Sequence, residues 1–222
     1  MNFSKQKEVI IEEFIEPAGH LLQGEGFVID GVLELALFGD TLFSELNPFL
    51  IYMVVFQRQI QSHVFSREHN LVQNAITLSG LSFGGVNVEI IRDDLDRLFL
   101  VELAPRSGGL LLPELIYHSV GVNLAKIYID YLLGENCEIK PRKEQFEFIV
   151  NFTLHVIEEK KYAGFSLPDG FKGKVLSCHE FVKKGDIIYP FTDASRAIGI
   201  LIVGTNYKSD IDLLRFYFPR NL

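Results

Sequence analysis

The sequence predicts an α+β fold: an antiparallel sheet with helices packed on one face, followed by a small strand-rich segment. Three observations carry that expectation. Residues 86–92 (V-N-V-E-I-I-R) and 98–109 (L-F-L-V-E-L-A-P-R-S-G-G) each begin as alternating apolar runs and are joined by the turn-rich Asp93-Asp94-Leu95-Asp96, so they read as two strands of one hairpin. Asp30-Gly31 separates two further apolar runs, and Asp-Gly suits a tight hairpin because both residues can take positive φ. Leu71, Val72, Ala75, Ile76 and Leu78 recur at helical spacing, and residues 113–133 carry helix starts and stops.

Taken in order, Val9, Ile10 and Ile11 predict a short buried strand that runs into Glu12-Glu13-Phe14-Ile15. Residues 20–39 hold the Asp-Gly hairpin. The apolar run 50–57 after Pro48 is a buried strand or a buried helix, and its periodicity does not separate the two. Ser66 can cap a helix that stops at Ser79-Gly80, and Gly84-Gly85 lets the chain turn into the next strand. Pro113 suits a first helical turn and Gly121 a stop; Asn123 can cap a second helix that ends at Gly134. Glu114 and His118 lie one turn apart, like a metal pair, but with two candidate ligands they read as a helix-face contact. Residues 140–143 form a polar linker. Strands are expected at 146–156, 174–182 and 197–204, and Ser209 is placed to cap a closing helix. Two units follow from this order, 1–134 and 142–222.

Composition bounds the function classes. At 222 residues, 48% hydrophobic and 23% charged, the chain has ample material for a core and the length of one domain, or of one with an appendage. No apolar run reaches the length of a membrane span, and the first ten residues carry no signal-peptide apolar region, which predicts a cytoplasmic protein without a membrane partner. Cys137 and Cys178 are far apart and lack metal spacing, so they read as free thiols. The net charge of −8 and the lack of a basic block argue against nucleic acid as the main partner. Oligomeric state stays open, a homodimer included.

The hairpin carries the chemistry. Asn87, Glu89 and Ile91 share one face of its first strand; Leu98, Leu100, Glu102, Ala104 and Arg106 share one face of the second if it stays extended. Two carboxylates brought together repel and raise each other's pKa unless a cation lies between them. Magnesium takes one or two protein carboxylates and completes its shell with water and substrate phosphates. Arg106 would then meet a negative ligand or transition state. Spacing alone favours the plainer reading of two acids on the solvent side of a half-exposed sheet.

These residues resemble the metal-binding end of ATP-grasp ligases. That family places one acid on a strand, a second about a dozen positions on, and then an arginine in the pattern E-x-N-x-R. Glu89, Glu102 and Arg106 match it; Ala104 replaces the asparagine that often helps hold metal, although E-L-A-P-R occurs in some members, such as the carboxylase of purine synthesis. The small-residue loop and helix that follow the arginine match Ser107-Gly108-Gly109 and P-E-L-I. The resemblance implies an adenine hinge at Glu12, Glu13, Phe14 and Ile15, with main-chain groups on the base edge and apolar side chains against the ring. It implies His20 at the ribose, Glu89 and Glu102 as magnesium ligands, Arg106 as the catalytic cation, a substrate loop starting at residues 38–41 with Asp40 as a weak candidate, and ATP and Mg2+ as cofactors. The implied activity joins a small-molecule carboxylate to an amine or a thiol through an acyl phosphate, and R-S-G-G with P-E-L-I leans towards amino-acid or peptide ligases. The tail resembles the small C-terminal subdomain of the family. The match is firm over 9–134 and covers the second half of a full ligase; the substrate-binding α/β domain, the two phosphate lysines and the glycine-rich flap have no counterpart. The expectation is a part of a longer enzyme that binds ATP weakly and does not turn over alone. The rival is a non-catalytic ATP-grasp-derived domain kept for binding or assembly, favoured by Ala104 and the missing lysines, opposed by the retained acids and arginine.

Overall fold

The structure, a computed structural model, describes residues 7–19, 21–58, 66–142 and 145–221. Its frame is one eight-stranded antiparallel sheet. In chain order the strands are β1 (Leu22–Ile29), β2 (Val32–Phe43), β3 (Ile51–Gln57), β4 (Gly84–Arg92), β5 (Leu98–Ala104), β6 (Phe148–Leu154), β7 (Lys160–Lys161), β8 (Lys174–Glu180), β9 (Ile187–Ile188) and β10 (Gly199–Thr205). The large sheet runs β5-β4-β1-β2-β3-β6-β10-β8, and β7 pairs with β9 in a separate short ladder. Helices α1 (Ser66–Ser79), α2 (Leu112–Val120), α3 (Leu124–Leu132) and α4 (Lys208–Asn221) pack against it.

The two expected hairpins form as their turns dictate. Asp30 and Gly31 take φ of 51° and 80°, the paired positive values that a two-residue hairpin needs, and join β1 to β2. Asp93 closes the β4–β5 turn by accepting the N–H groups of Leu95 and Arg97 on Oδ1, at 3.1 and 2.8 Å. Helices α2 and α3 start and stop where Pro113, Gly121, Asn123 and Gly134 predict, with Asn123 Oδ1 accepting Lys126 N–H at 3.0 Å. The closing helix differs: α4 begins at Lys208, so Ser209 lies inside it, and Thr205 Oγ1 accepts Tyr207 N–H at 3.1 Å just ahead of its start.

The α+β class stands, but the helices are not confined to one face. Every residue of β6 and of β10 is buried. On these strands Val150, Phe152, Leu201 and Val203 point to a cluster with Leu214 and Phe218 of α4, while Ile149, Ile200 and Ile202 point to one with Leu112, Leu115 and Ile116 of α2 and with α3. A strand buried on both sides needs a layer on each. Helix α1 covers the other end of the α4 face, where Val72 and Ile76 meet Val86, Val88 and Ile90. Double burial also settles the apolar run as a strand, β3, over Ile51–Gln57: a central strand has no polar face, so its alternation was invisible in the sequence. Strands β6, β10 and β8 from the tail extend the sheet begun by the first segment, β6 pairing with β3, so the change of character at 134–142 interrupts no ladder.

Two segments differ from expectation. Val9, Ile10 and Ile11 form no buried strand; they are irregular and exposed, because no described strand lies beside them to share a ladder. Residues 38–41 do not begin a loop. They continue β2, where Asp40 is paired with both Leu22 and Val55, a register that removes Asp40 as a loop candidate.

Candidate functional site

Glu89 of β4 and Glu102 of β5 are direct cross-strand partners. The register slips between Glu89 and Ile90, which pairs with Leu100, so Val101 is an extra residue in β5. That bulge corrects the expected facing. Leu98 and Leu100 do not share the face of Glu102; with Leu103 they pack on the α1 side. A one-residue insertion reverses the alternation. It lets β5 bury its leucines on one side while Glu102 turns to the other, where Asn87 and Glu89 project.

The carboxylates feel each other. Burial, then the facing Glu102, push the Glu89 carboxyl up, while Arg106 holds it down. The strand ends at Ala104, and Arg106 N–H closes a tight turn onto Ala104 O at 2.8 Å. The guanidinium still reaches back to Glu102 Oε1, at 3.5 Å, and donates to Ser107 O at 3.0 Å. Among the described residues no group of three or more His, Cys, Asp or Glu side chains is placed to hold a metal. Two acids that repel without a cation between them are a donor set that fits magnesium, which takes its remaining ligands from water and phosphate. Ala104 lies across from Asn87, whose Nδ2 donates to Gly24 O at 3.0 Å, so a side-chain amide is present on the same face from the neighbouring strand.

Sequence reading missed Glu25. It lies on β1 in register with Asn87, is 1% exposed, and faces the same side as Glu89. Its Oε2 accepts Gly108 N–H at 2.7 Å, while Oε1 is buried without a hydrogen-bond partner. Burial pushes its carboxyl up to about 7, against the pull of the Gly108 amide, the Ser107 hydroxyl, the Arg106 charge and the Asn87 amide. The available signal was an acid flanked by glycines inside an apolar strand, Gly24-Glu25-Gly26.

Glu25 anchors the loop that follows Arg106. A Cβ on Gly108 would lie 2.6 Å from Asn87 Nδ2 and 2.8 Å from Glu25 Oε2, so only glycine brings its N–H this close. Leu110 and Leu111 then take φ of 53° and 56°, left-handed values that cost leucine. Asn151 of β6 bonds Leu110 O, and the buried Leu112 leads α2. The loop is therefore fixed from the sheet at two points.

The remaining sites fall as follows. Glu12, Glu13 and Phe14 are exposed and Ile15 is half-buried, in irregular backbone that joins the sheet through Ala18 N–H to Arg92 O at 2.8 Å. This places the predicted hinge segment towards the Arg92 end of β4 and the arginine loop at its Gly85 end, with Glu89 between. At about 3.4 Å per residue, Glu89 is about 10 Å from Arg92 and about 14 Å from Gly85. His20 lies outside the described residues. Glu114 and His118 do contact, at 3.7 Å, and His179 of β8 joins them at 3.1 Å from Glu114. That contact ties α2 to the sheet edge.

No family model matches the sequence. A curated relative, the uncharacterized protein y4rH of Sinorhizobium fredii, is 22% identical over 138 residues, 62% of this chain and 27% of that protein. Solved structures share the fold. The phosphoribosylglycinamide synthetase of Anaerococcus prevotii superposes with a TM-score of 0.75 at 20% identity, over 96% of this chain and 54% of its own. The L-amino acid ligase of Bacillus licheniformis gives 0.68 at 19%, over 90% and 52%. The biotin carboxylase domain of Hydrogenobacter thermophilus 2-oxoglutarate carboxylase, in complex with MgADP and bicarbonate, gives 0.61 at 17%, over 92% and 45%. The chain spans about half the length of these structures. It has the ATP-grasp fold.

Proposed function

We propose that this chain, an ATP-grasp fold in its architecture, supplies the metal- and arginine-bearing half of a ligase that joins a small-molecule carboxylate to an amine or thiol. One observation carries the reading: Glu89 and Glu102 are paired across the β4–β5 ladder on one face, with the Arg106 guanidinium 3.5 Å from Glu102. Glu89 and Glu102 would hold Mg2+, which would offset the negative charge of the nucleotide. The backbone of residues 12–15, exposed at the far end of β4, suits the base edge of the nucleotide. In the reaction the substrate carboxylate forms a C–O–P bond to the γ-phosphorus as the bond to the ADP oxygen breaks. The amine then forms a bond to the acyl carbon, the acyl–phosphate bond breaks, and phosphate and the amine proton leave. Arg106 is placed to stabilise the charge on the acyl phosphate and on the tetrahedral intermediate. Glu25 acts through the loop: it holds the Gly108 amide and so fixes where Ser107 and Arg106 stand.

Isothermal titration with Mg-ATP, on the chain and on Glu102→Ala, tests the reading. Weak binding that is lost or reduced at least tenfold in the variant is expected. A signal that the substitution leaves unchanged removes the metal site and favours a domain that keeps the fold for binding alone.

A further inference from the structure

We propose that the cleft beside Arg106 is a side-chain pocket for a small carboxylate substrate bearing an aromatic or branched apolar group. The inference rests on the ligase reading and names its substrate class. The cleft holds about 500 Å³, inside the range of small-molecule sites, and opens between the start of β4, the arginine loop and α3. Its walls are apolar: Phe83, Leu124, Ala125, Tyr128 and Ile129, with Arg106 supplying the single charged group.

The aromatic wall is held before any ligand arrives. Phe83 stacks on Tyr131 with ring centres 3.6 Å apart and meets the buried Phe27 edge-on at 5.4 Å. A wall already in place costs little ordering on binding. The floor is Gly84-Gly85, which projects no side chain into the space. Arg106 can turn to a ligand at small cost: its contact with Glu102 is long, its other bond is to the adjoining Ser107 O at 3.0 Å, and the Arg106 and Glu102 side chains are about half exposed.

This combination selects chemistry. A carboxylate drawn to Arg106 leaves its attached group against the apolar wall. An aromatic or branched group buries itself there; a second carboxylate would lose water and meet no second cation, since Arg106 is the one charged residue of the lining. A cavity of this size with one cation fits a small acid better than a protein segment, which would need matching for its backbone polar groups.

Binding of L-phenylalanine, L-aspartate and phenethylamine to the chain, each with and without Mg-ATP, tests the assignment by titration or ligand-observed NMR. L-Phenylalanine is expected to bind, L-aspartate to bind at least tenfold more weakly, and phenethylamine, which lacks the carboxylate, likewise. Ala125→Trp fills the exposed side of the cleft and should weaken L-phenylalanine at least tenfold, its melting transition serving as the check on folding. Tyr128→Ala removes part of the wall without adding bulk and should weaken it severalfold. No binding of L-phenylalanine under either condition, equal binding of L-aspartate, or two folded variants that bind as the parent does would each overturn the pocket. The Glu102→Ala titration with Mg-ATP does not depend on this cleft, so the pocket and the ligase reading can fail separately.

Discussion

Two buried carboxylates, one on β1 inside the sheet and one on the helix that follows β10, are treated in opposite ways. Asp210 of α4 is 2% exposed and both its oxygens are engaged: Thr205 Oγ1 donates to Oδ2 at 2.5 Å, and Lys172 N–H to Oδ1 at 3.4 Å. Glu25 of β1 is 1% exposed, has one oxygen on Gly108 N–H and the other without a partner, and titrates near neutrality. The first pins a helix to the last strand of the fold. The second holds a strained loop beside two repelling acids and an arginine. A buried polar group that is fully matched stabilises; one left half-matched and pushed towards neutral pH marks where the fold gives up stability to position chemistry.

The largest expected effect is at Glu25. Its folded pKa, about 7, lies above its ordinary value of 4.5, so the folded state holds a proton that the unfolded chain releases. Stability from this group is therefore intact below pH 4.5, declines as pH rises towards 7, and is fully lost above it, a difference of about 3 kcal/mol. Glu25→Gln abolishes the titration while keeping an acceptor for Gly108. Denaturant midpoints of parent and variant should converge at pH 4 and separate in the variant's favour at pH 8. A gap that does not change with pH would leave Glu25 an ordinary buried group.

Asp210→Ala should respond with the other sign, losing about 1–3 kcal/mol because the Thr205 hydroxyl and Lys172 amide lose their acceptor. Thermal unfolding at pH 7 measures it, and a neutral result would erase the contrast between the two carboxylates. The smallest effect is at the acid pair. Like charges opposed across a ladder destabilise, so Glu102→Gln should raise metal-free stability by less than about 1 kcal/mol, its side chain being half exposed. Excess Mg2+ with ATP should reverse the order of parent and variant in melting temperature; an unchanged order would argue against a shared cation.

Legibility in the sequence followed the range of the interaction. The Asp30-Gly31 turn, the β4–β5 hairpin and the ends of α2 and α3 were readable because each depends on a few adjacent residues. The facing of Leu98 and Leu100 was not, since nothing in residues 98–104 announces that Val101 is the extra one; only the fit of β5 against both β4 and α1 decides it. Glu25 was passed over because its neighbours in space, Gly108 and Asn87, are more than sixty positions away. Val9–Ile11 read as buried because apolar character predicts burial only where a partner layer exists.

By itself, then, the sequence determined the hairpins, the limits of α2 and α3, and the placing of Glu89 and Glu102 on adjoining strands ahead of Arg106, because turn chemistry and side-chain periodicity are local. Tertiary structure alone decided that β6, β10 and β8 extend the same sheet, that helices cover both of its faces, and that a carboxylate from β1 lies beneath the arginine loop. Those outcomes turn on which surfaces meet, and a burial or a pKa exists only once they have met.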